Sequence, residues 1–264
     1  MAGSISLASM AALRTGAGLV SAAVPDRCLE TVAQFDPAVM TIPLPDADPG
    51  VFAVAAAAGL RDPLSPVDAV GIGPGMRTGE GTAALLARCL QATSLPCVID
   101  ADGLNSLAQA PAHETAPGSE PAWVARIAGP VVLTPHPGEW KRLCGVSPTD
   151  RPAQQAAAER LAAASGAVIV LKGARTFVTN GRQHYHNRTG NPGMASGGSG
   201  DVLTGILTSL LGQGLEPFDA ARLAPWIHGR AGDRAAAQWG QAGMTANDLL
   251  TALPAAVEDA TAPR

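Results

Sequence analysis

Residues Thr189–Leu203 read T-G-N-P-G-M-A-S-G-G-S-G-D-V-L, and the end of this stretch decides how the rest of the chain is read. Gly197-Gly198-Ser199-Gly200-Asp201 opens a segment in which Val202, Leu203, Ile206, Leu207, Leu210 and Leu211 recur at helical spacing. Gly212 and Gly214 follow where C-terminal caps belong. Glycines at a helix start let backbone N–H groups approach an anion with no side chain in the way. The positive end of the helix dipole favours the same ligand, so phosphate is the natural guest. Asp201 then sits in the first turn, beside a phosphoryl group that would be transferred. The same five residues also fit an ordinary Gly-rich turn with a dipole-favoured acid, and the surroundings must decide between the two.

Upstream, short apolar runs alternate with Ala/Leu-rich helical stretches. Strands are predicted at Gly18–Val24, Ala38–Ile42, Val67–Ile72, Cys97–Asp100, Val131–Thr134 and Ala167–Leu171. Helices are predicted at Ile5–Arg14, Asp26–Gln34, Val51–Leu60, Gly79–Gln91, Gly103–Ala108 and Ala153–Ser165. This order predicts βαβ units and a parallel sheet covered on both faces, in an α/β fold with one domain over residues 1–264. A hairpin is predicted from Thr176–Thr179 and Gln183–His186 about an Asn180-Gly181 turn. Helices at Gly198–Leu211, Phe218–Trp239 and Ala246–Val257 complete the chain, and Ala110–Pro121 reads as a polar surface insertion.

Three further segments close strand candidates: Gly71-Ile72-Gly73-Pro74-Gly75, Asp100-Ala101-Asp102-Gly103-Leu104-Asn105 and Thr134-Pro135-His136-Pro137-Gly138-Glu139. Ligands of open parallel sheets bind beyond the carboxyl ends of the strands, so all four segments can meet in one crevice. Individually they also read as a plain turn, a helix N-cap at Asp102 and a rigid Pro-bearing bend. Four such coincidences are a poorer account than one site.

Composition narrows the class. The chain has 264 residues, 47% of them hydrophobic, and a formal charge of −4, which gives no sign of a nucleic-acid-binding surface. No apolar run reaches the length of a membrane span. The mildly apolar Met1–Leu13 precedes its first cation, Arg14, the reverse of a secretory signal, so a cytoplasmic location is expected. Cys28, Cys89, Cys97 and Cys144 form no C-x-x-C pair and read as reduced, mostly buried thiols. His113, His184, His186 and His228 show no metal spacing and read as surface or structural residues.

L-T-P-H-P-G-E, the L-K-G of Leu171–Gly173 and G-N-P-G-M-A-S-G-G-S-G-D-V-L-T-G together resemble the ADP/ATP-dependent NAD(P)H-hydrate dehydratases, from about Gly3 to Leu250. The resemblance implies a ribokinase-like fold, a three-layer sandwich with a mostly parallel central sheet. It implies dehydration of the S epimer of NADHX or NADPHX, with ADP or ATP as phosphoryl donor and Mg²⁺ as cofactor. By the same resemblance Gly75, His136 and Asp201 contact the hydrated cofactor, while Lys172, Gly173, Ala174, Arg175, Thr176 and Gly200 bind the nucleotide. Asp201 would be the catalytic base, the amides of Gly198, Ser199, Gly200 and Asp201 the anion hole, and Glu139 a water-mediated Mg²⁺ holder. A homo-oligomer, a tetramer in the family, and a separate epimerase protein are expected as partners. A thiamine-precursor kinase is the rival within the fold, but such kinases place Asn where this chain has His136. An inactive nucleotide-binding relative is the rival outside enzymology.

Ser4 stands where the family has a substrate-contacting Ala. Gly3 and Ser4 read as the end of a Gly-rich turn, and Met1–Val20 aligns with the family's first helix. The expectation is therefore that this chain lacks the family's first strand, that Met1 is an internal methionine, and that a form extended upstream is the more stable and active one.

Overall fold

The computed structural model describes residues 1–48, 50–60, 67–91, 94–109 and 120–261. The first half runs α1 (Ala2–Arg14), β1 (Val20–Pro25), α2 (Leu29–Ala33), β2 (Val39–Leu44), β3 (Asp46–Asp48), β4 (Val51–Phe52), α3 (Ala56–Gly59), β5 (Val70–Ile72), α4 (Glu80–Leu90), β6 (Cys97–Ile99) and α5 (Ala101–Gln109). The second half runs β7 (Val131–Leu133), α6 (Pro137–Cys144), α7 (Arg151–Ser165), β8 (Val168–Leu171), β9 (Phe177–Thr179), β10 (His184–His186), α8 (Ser199–Gly212), α9 (Pro217–Trp239) and α10 (Ala246–Thr261).

Six strands form the central sheet in the order β10-β9-β8-β7-β6-β5. Strands β5 to β8 are parallel, with Val70 opposite Cys97 and Cys97 opposite Val131, whereas β9 and β10 join antiparallel. Every residue of β6, β7 and β8 is buried, which is why these strands read as continuous apolar runs. Their side chains still alternate between faces. Cys97, Ile99, Leu133 and Ile169 pack with Leu85, Trp140 and Leu161 of α4, α6 and α7. Val98, Val132, Val168 and Val170 pack with Val202, Ile206, Ala224 and Leu253 of α8, α9 and α10. The three layers and the mostly parallel sheet agree with the sequence reading.

Helix α1 lies against α8 at Gly205, where an added Cβ would overlap the Ala8 carbonyl oxygen. On its other side α1 packs on the parallel pair β1–β2, which has a small core of its own around Ala22, Val24, Val32 and Val39. This pair is not hydrogen-bonded to the six-stranded sheet. A cavity of about 760 Å³ lies between them, lined by Val20 and Ala23 of β1, Val70 and Ile72 of β5, Ser9 of α1 and Thr208 of α8.

Several local expectations need correction. The helix expected over Val51–Leu60 is a two-residue strand followed by the short α3, because Val51–Phe52 pairs with Asp46–Asp48. Gly3 and Ser4 lie within α1 rather than in a turn. The span Asp26–Gln34 begins as a 3₁₀ turn, Asp26–Cys28, before α2. In the hairpin, Thr179 faces His184, so Asn180 and Gln183 belong to the loop and face each other across Gly181-Arg182. Gly181 carries the positive φ, +82°, one residue beyond the expected start of the turn. All four cysteines are free, with Cys89 and Cys97 buried and Cys28 and Cys144 half-buried. His113 and most of the Ala110–Pro121 insertion lie outside the described residues.

Candidate active site

Four successive loops meet at the carboxyl ends of β5 to β8, and main-chain hydrogen bonds tie each to the next. Asp100 N donates to Ile72 O (3.1 Å), Thr134 N to Ile99 O (3.1 Å) and Lys172 N to Pro135 O (2.9 Å). Gly73 is required here, since a Cβ on it would overlap the Asp100 carbonyl oxygen. Beside the Asp100 carboxyl, Ala101 adopts a left-handed φ of +46°, a conformation that costs a non-Gly residue energy and is common at functional sites.

The start of α8 closes the crevice from above the sheet. Gly198 caps it in the left-handed conformation, φ +87°, and any larger residue would run into Leu7. Among the described residues no side chain caps this helix, so the first-turn amides of Ser199, Gly200 and Asp201 are free of side-chain partners. Lys172 Nζ lies directly under this turn, 3.4 Å from where a Cβ on Gly200 would stand. First-turn amides, the helix dipole and an ammonium group thus meet at the start of α8.

The ammonium group is held from below. Lys172 Nζ donates to Asp100 Oδ1 (2.6 Å) and lies 3.8 Å from Glu139 Oε2. The second Asp100 oxygen accepts from Thr204 Oγ1 of α8 (2.8 Å), and Asp100 is only 1% exposed. Burial pulls the Lys172 pKa down, but Asp100 and Glu139 outweigh it, so the ammonium sits above its ordinary value. Burial raises the Asp201 carboxyl, against a hydrogen bond from Ser4 that favours its charged form. A carboxylate lifted in this way is a better proton acceptor.

The remaining predicted residues fall around this centre. His136 caps α6: its Nδ1 accepts from Gly138 N (3.0 Å) and Glu139 N (3.3 Å), while Glu139 Oε2 accepts from His136 N (2.8 Å). Burial, followed by Lys172 and Arg142, lowers the His136 pKa and keeps the ring neutral. Burial also raises the Glu139 carboxyl, only partly countered by Lys172. Gly75 lies at the far rim, where its carbonyl accepts from the amino group of Met1. Gly173, Ala174 and Arg175 are exposed on the turn after β8, and Thr176 Oγ1 donates to Gly173 O (3.4 Å).

Three residues that reasoning from sequence did not single out are brought to the site. Asp100 is an acid that ends an otherwise apolar strand, and that position is the signal that marks it. Thr204 read as one more turn of an amphipathic helix. Arg151 carried no local signal, because its link to the turn after β8 exists only through space. His228, read as surface or structural, packs against Ser199 Oγ (3.2 Å), and burial holds its pKa down at about 4.

Comparison with solved structures sets the class. The ADP/ATP-dependent NAD(P)H-hydrate dehydratase of Bacillus subtilis, co-crystallised with ATP/Mg²⁺ and soaked with CoA, matches with a TM-score of 0.80 at 27% identity, covering 98% of this chain and 87% of that one. A ribokinase-like superfamily protein from Enterococcus faecalis matches with a TM-score of 0.78 at 25% identity, covering 97% and 82%. The fold is that of the ribokinase-like α/β class. A family model described as NAD(P)H-hydrate dehydratase matches residues 1–255. The bifunctional NAD(P)H-hydrate repair enzyme of Moorella thermoacetica is 43% identical over 261 residues, which is 96% of this chain and 46% of that protein. The chain belongs to the NAD(P)H-hydrate dehydratase family, and it spans about half the length of the curated relatives it matches, as the 46% coverage records. Among the described residues no helix is long and apolar enough to cross a membrane.

Proposed function

We propose that this chain converts the S epimer of NADHX or NADPHX to NADH or NADPH, with ADP or ATP as phosphoryl donor. The observation that carries the reading is the placement of Asp201: a carboxylate raised by burial, in the first turn of an anion-accepting helix with the Lys172 ammonium beneath it. Asp201 takes the proton from the C6 hydroxyl of the hydrated ring as the phosphoryl group is transferred to that oxygen. The amides of Gly198, Ser199, Gly200 and Asp201, with Lys172, hold the charge of the transferring group. Phosphate then leaves with the C6 oxygen, and loss of a proton from the neighbouring carbon restores the ring.

In this reading Gly75 and His136 contact the hydrate, and Lys172–Thr176 with Gly200 bind the nucleotide. Both Glu139 oxygens face internal partners, His136 and Lys172, so the fit for Mg²⁺ is through water rather than direct ligation. Mg²⁺ would supply charge neutralisation for the phosphates of a bound nucleotide.

The test is turnover of S-NADHX by the purified protein with Mg²⁺ and either ADP or ATP, followed by the absorbance of the reduced ring. Formation of NADH supports the reading. Phosphorylation of a thiamine precursor without hydrate turnover would establish the kinase alternative. Nucleotide binding with neither reaction would mark an inactive relative.

A further inference from the structure

Arg151 opens α7, remote in sequence from every strand end that builds the crevice. Its guanidinium reaches under the turn after β8. Nη2 donates to Leu171 O (3.0 Å) and Arg175 O (3.1 Å), and Nη1 to Lys172 O (3.4 Å) and Gln154 Oε1 (3.1 Å). Three of these acceptors are main-chain carbonyls of one turn. Gln154 is itself fixed, being fully buried and donating from Nε2 to Ser147 O (2.8 Å). Burial alone lowers the Arg151 pKa, and no carboxylate among the described residues offsets it. The cation is therefore committed to backbone carbonyls. Gly173, at φ +155°, lies against it, with a Cβ position 3.6 Å from Nη2.

We infer that Arg151 is a positioning residue for a nucleoside di- or triphosphate: it gathers the carbonyls of Leu171, Lys172 and Arg175 on the side away from the crevice and so presents Lys172 and the turn to the phosphates. The inference rests on the assignment of Lys172–Thr176 to the nucleotide made above. The ends of the turn are pinned by Lys172 N to Pro135 O and Asn187 N to Thr176 O, both 2.9 Å, but between them Gly173, Ala174 and Arg175 are exposed, and apart from Arg151 the side-chain bond within the turn is the 3.4 Å contact from Thr176. Carbonyl oxygens turned toward the crevice would repel a polyphosphate, whereas carbonyls satisfied by a cation do not. Only the planar, forked guanidinium can serve several carbonyls at fixed angles, so a lysine at this position is no substitute.

The experiment compares the whole chain with Arg151→Lys and Arg151→Gln. ADP and ATP affinities are measured calorimetrically without hydrate, and KM for nucleotide, KM for S-NADHX and kcat are measured separately. Both variants should bind nucleotide about ten- to a hundredfold more weakly. The KM for S-NADHX should stay close to wild type while nucleotide affinity and nucleotide KM carry the loss, a split that general loosening of the fold does not produce. If the glutamine variant does not fold, the lysine variant, which keeps the charge and the stem, still decides the matter. Wild-type nucleotide affinity in Arg151→Lys overturns the inference, as does a parallel loss in hydrate KM. A wild-type chain that binds neither ADP nor ATP overturns instead the nucleotide assignment on which the inference rests.

Discussion

The two sides of β5 are built differently. Toward β6 the strand ends are laced together: Ile72 O to Asp100 N, Asp100 to Lys172 and Thr204, and Pro135 O to Lys172 N. Toward β1 no ladder forms among the described residues, and a cavity of about 760 Å³ has walls of mostly small or apolar residues. On the laced side, charges and dipoles are held at fixed places in a poorly hydrated setting, where they act strongly on one another. On the open side, side chains have room and few polar partners. The same kind of substitution should therefore have very different consequences on the two sides.

The largest effect is expected at Asp201. Asp201→Asn keeps the shape and removes the base, so turnover should fall by roughly 10²–10⁴ while nucleotide affinity changes much less. Near-wild-type turnover in a steady-state assay would remove Asp201 from the chemistry and leave the laced side a structural feature only.

Acid should act next through His228, which packs against the start of α8. Its pKa in the folded protein is about 4, below the ordinary 6.5. Between these values the unfolded chain binds a proton that the folded one does not, so stability falls as pH drops from about 6.5 to about 4. The loss is up to about 3 kcal/mol. His228→Gln, which retains a partner for Ser199, should flatten that part of a denaturant-midpoint profile against pH; an unchanged slope would mean that the acid sensitivity lies elsewhere.

Gly205→Ala probes packing where α1 meets α8. The new methyl would overlap the Ala8 carbonyl and lie 2.8 Å from Ala11 Cβ. A loss of about 1–3 kcal/mol is expected, visible as a lower Tm. At His136, capping and substrate contact can be separated. Alanine should cost about 1 kcal/mol through the lost cap, and asparagine, a good cap, should restore the Tm but not the hydrate KM. An asparagine variant with wild-type hydrate KM would reduce His136 to a cap.

The smallest effect is expected on the open side. Ala23→Val adds volume beside the cavity, and the Tm should move by no more than a surface substitution allows, within about 0.5 kcal/mol. A loss as large as that of Gly205→Ala would show that the β1–β5 side is packed as tightly as the other and would erase the contrast.

Much of the fold was legible in the sequence because local and global preferences agree over most of the chain. Continuous apolar runs at Cys97–Ile99, Val131–Leu133 and Val168–Leu171 become strands buried on both faces. The Gly-rich opening at Gly197–Asp201 becomes the start of α8, which carries no side-chain cap. Legibility failed where the partner was distant or the element short. Val51–Phe52 looks helical among its alanines and is a strand only because Asp46–Asp48 lies beside it.

By itself, then, the sequence determined the alternation of strands and helices, the glycine-rich opening of α8 and the family to which these motifs point. Each depends on residues close together along the chain, whose period and backbone freedom can be read directly. Only the tertiary structure decided that Asp100 at one strand end, itself hydrogen-bonded by Thr204 from a helix about a hundred residues later, holds Lys172 under α8. It alone placed Arg151 beneath the turn at Leu171–Arg175 and parted β1 from β5 around a cavity. The physical reason is that these arrangements come from contacts between segments far apart in sequence, and their energy depends on which groups the fold buries together.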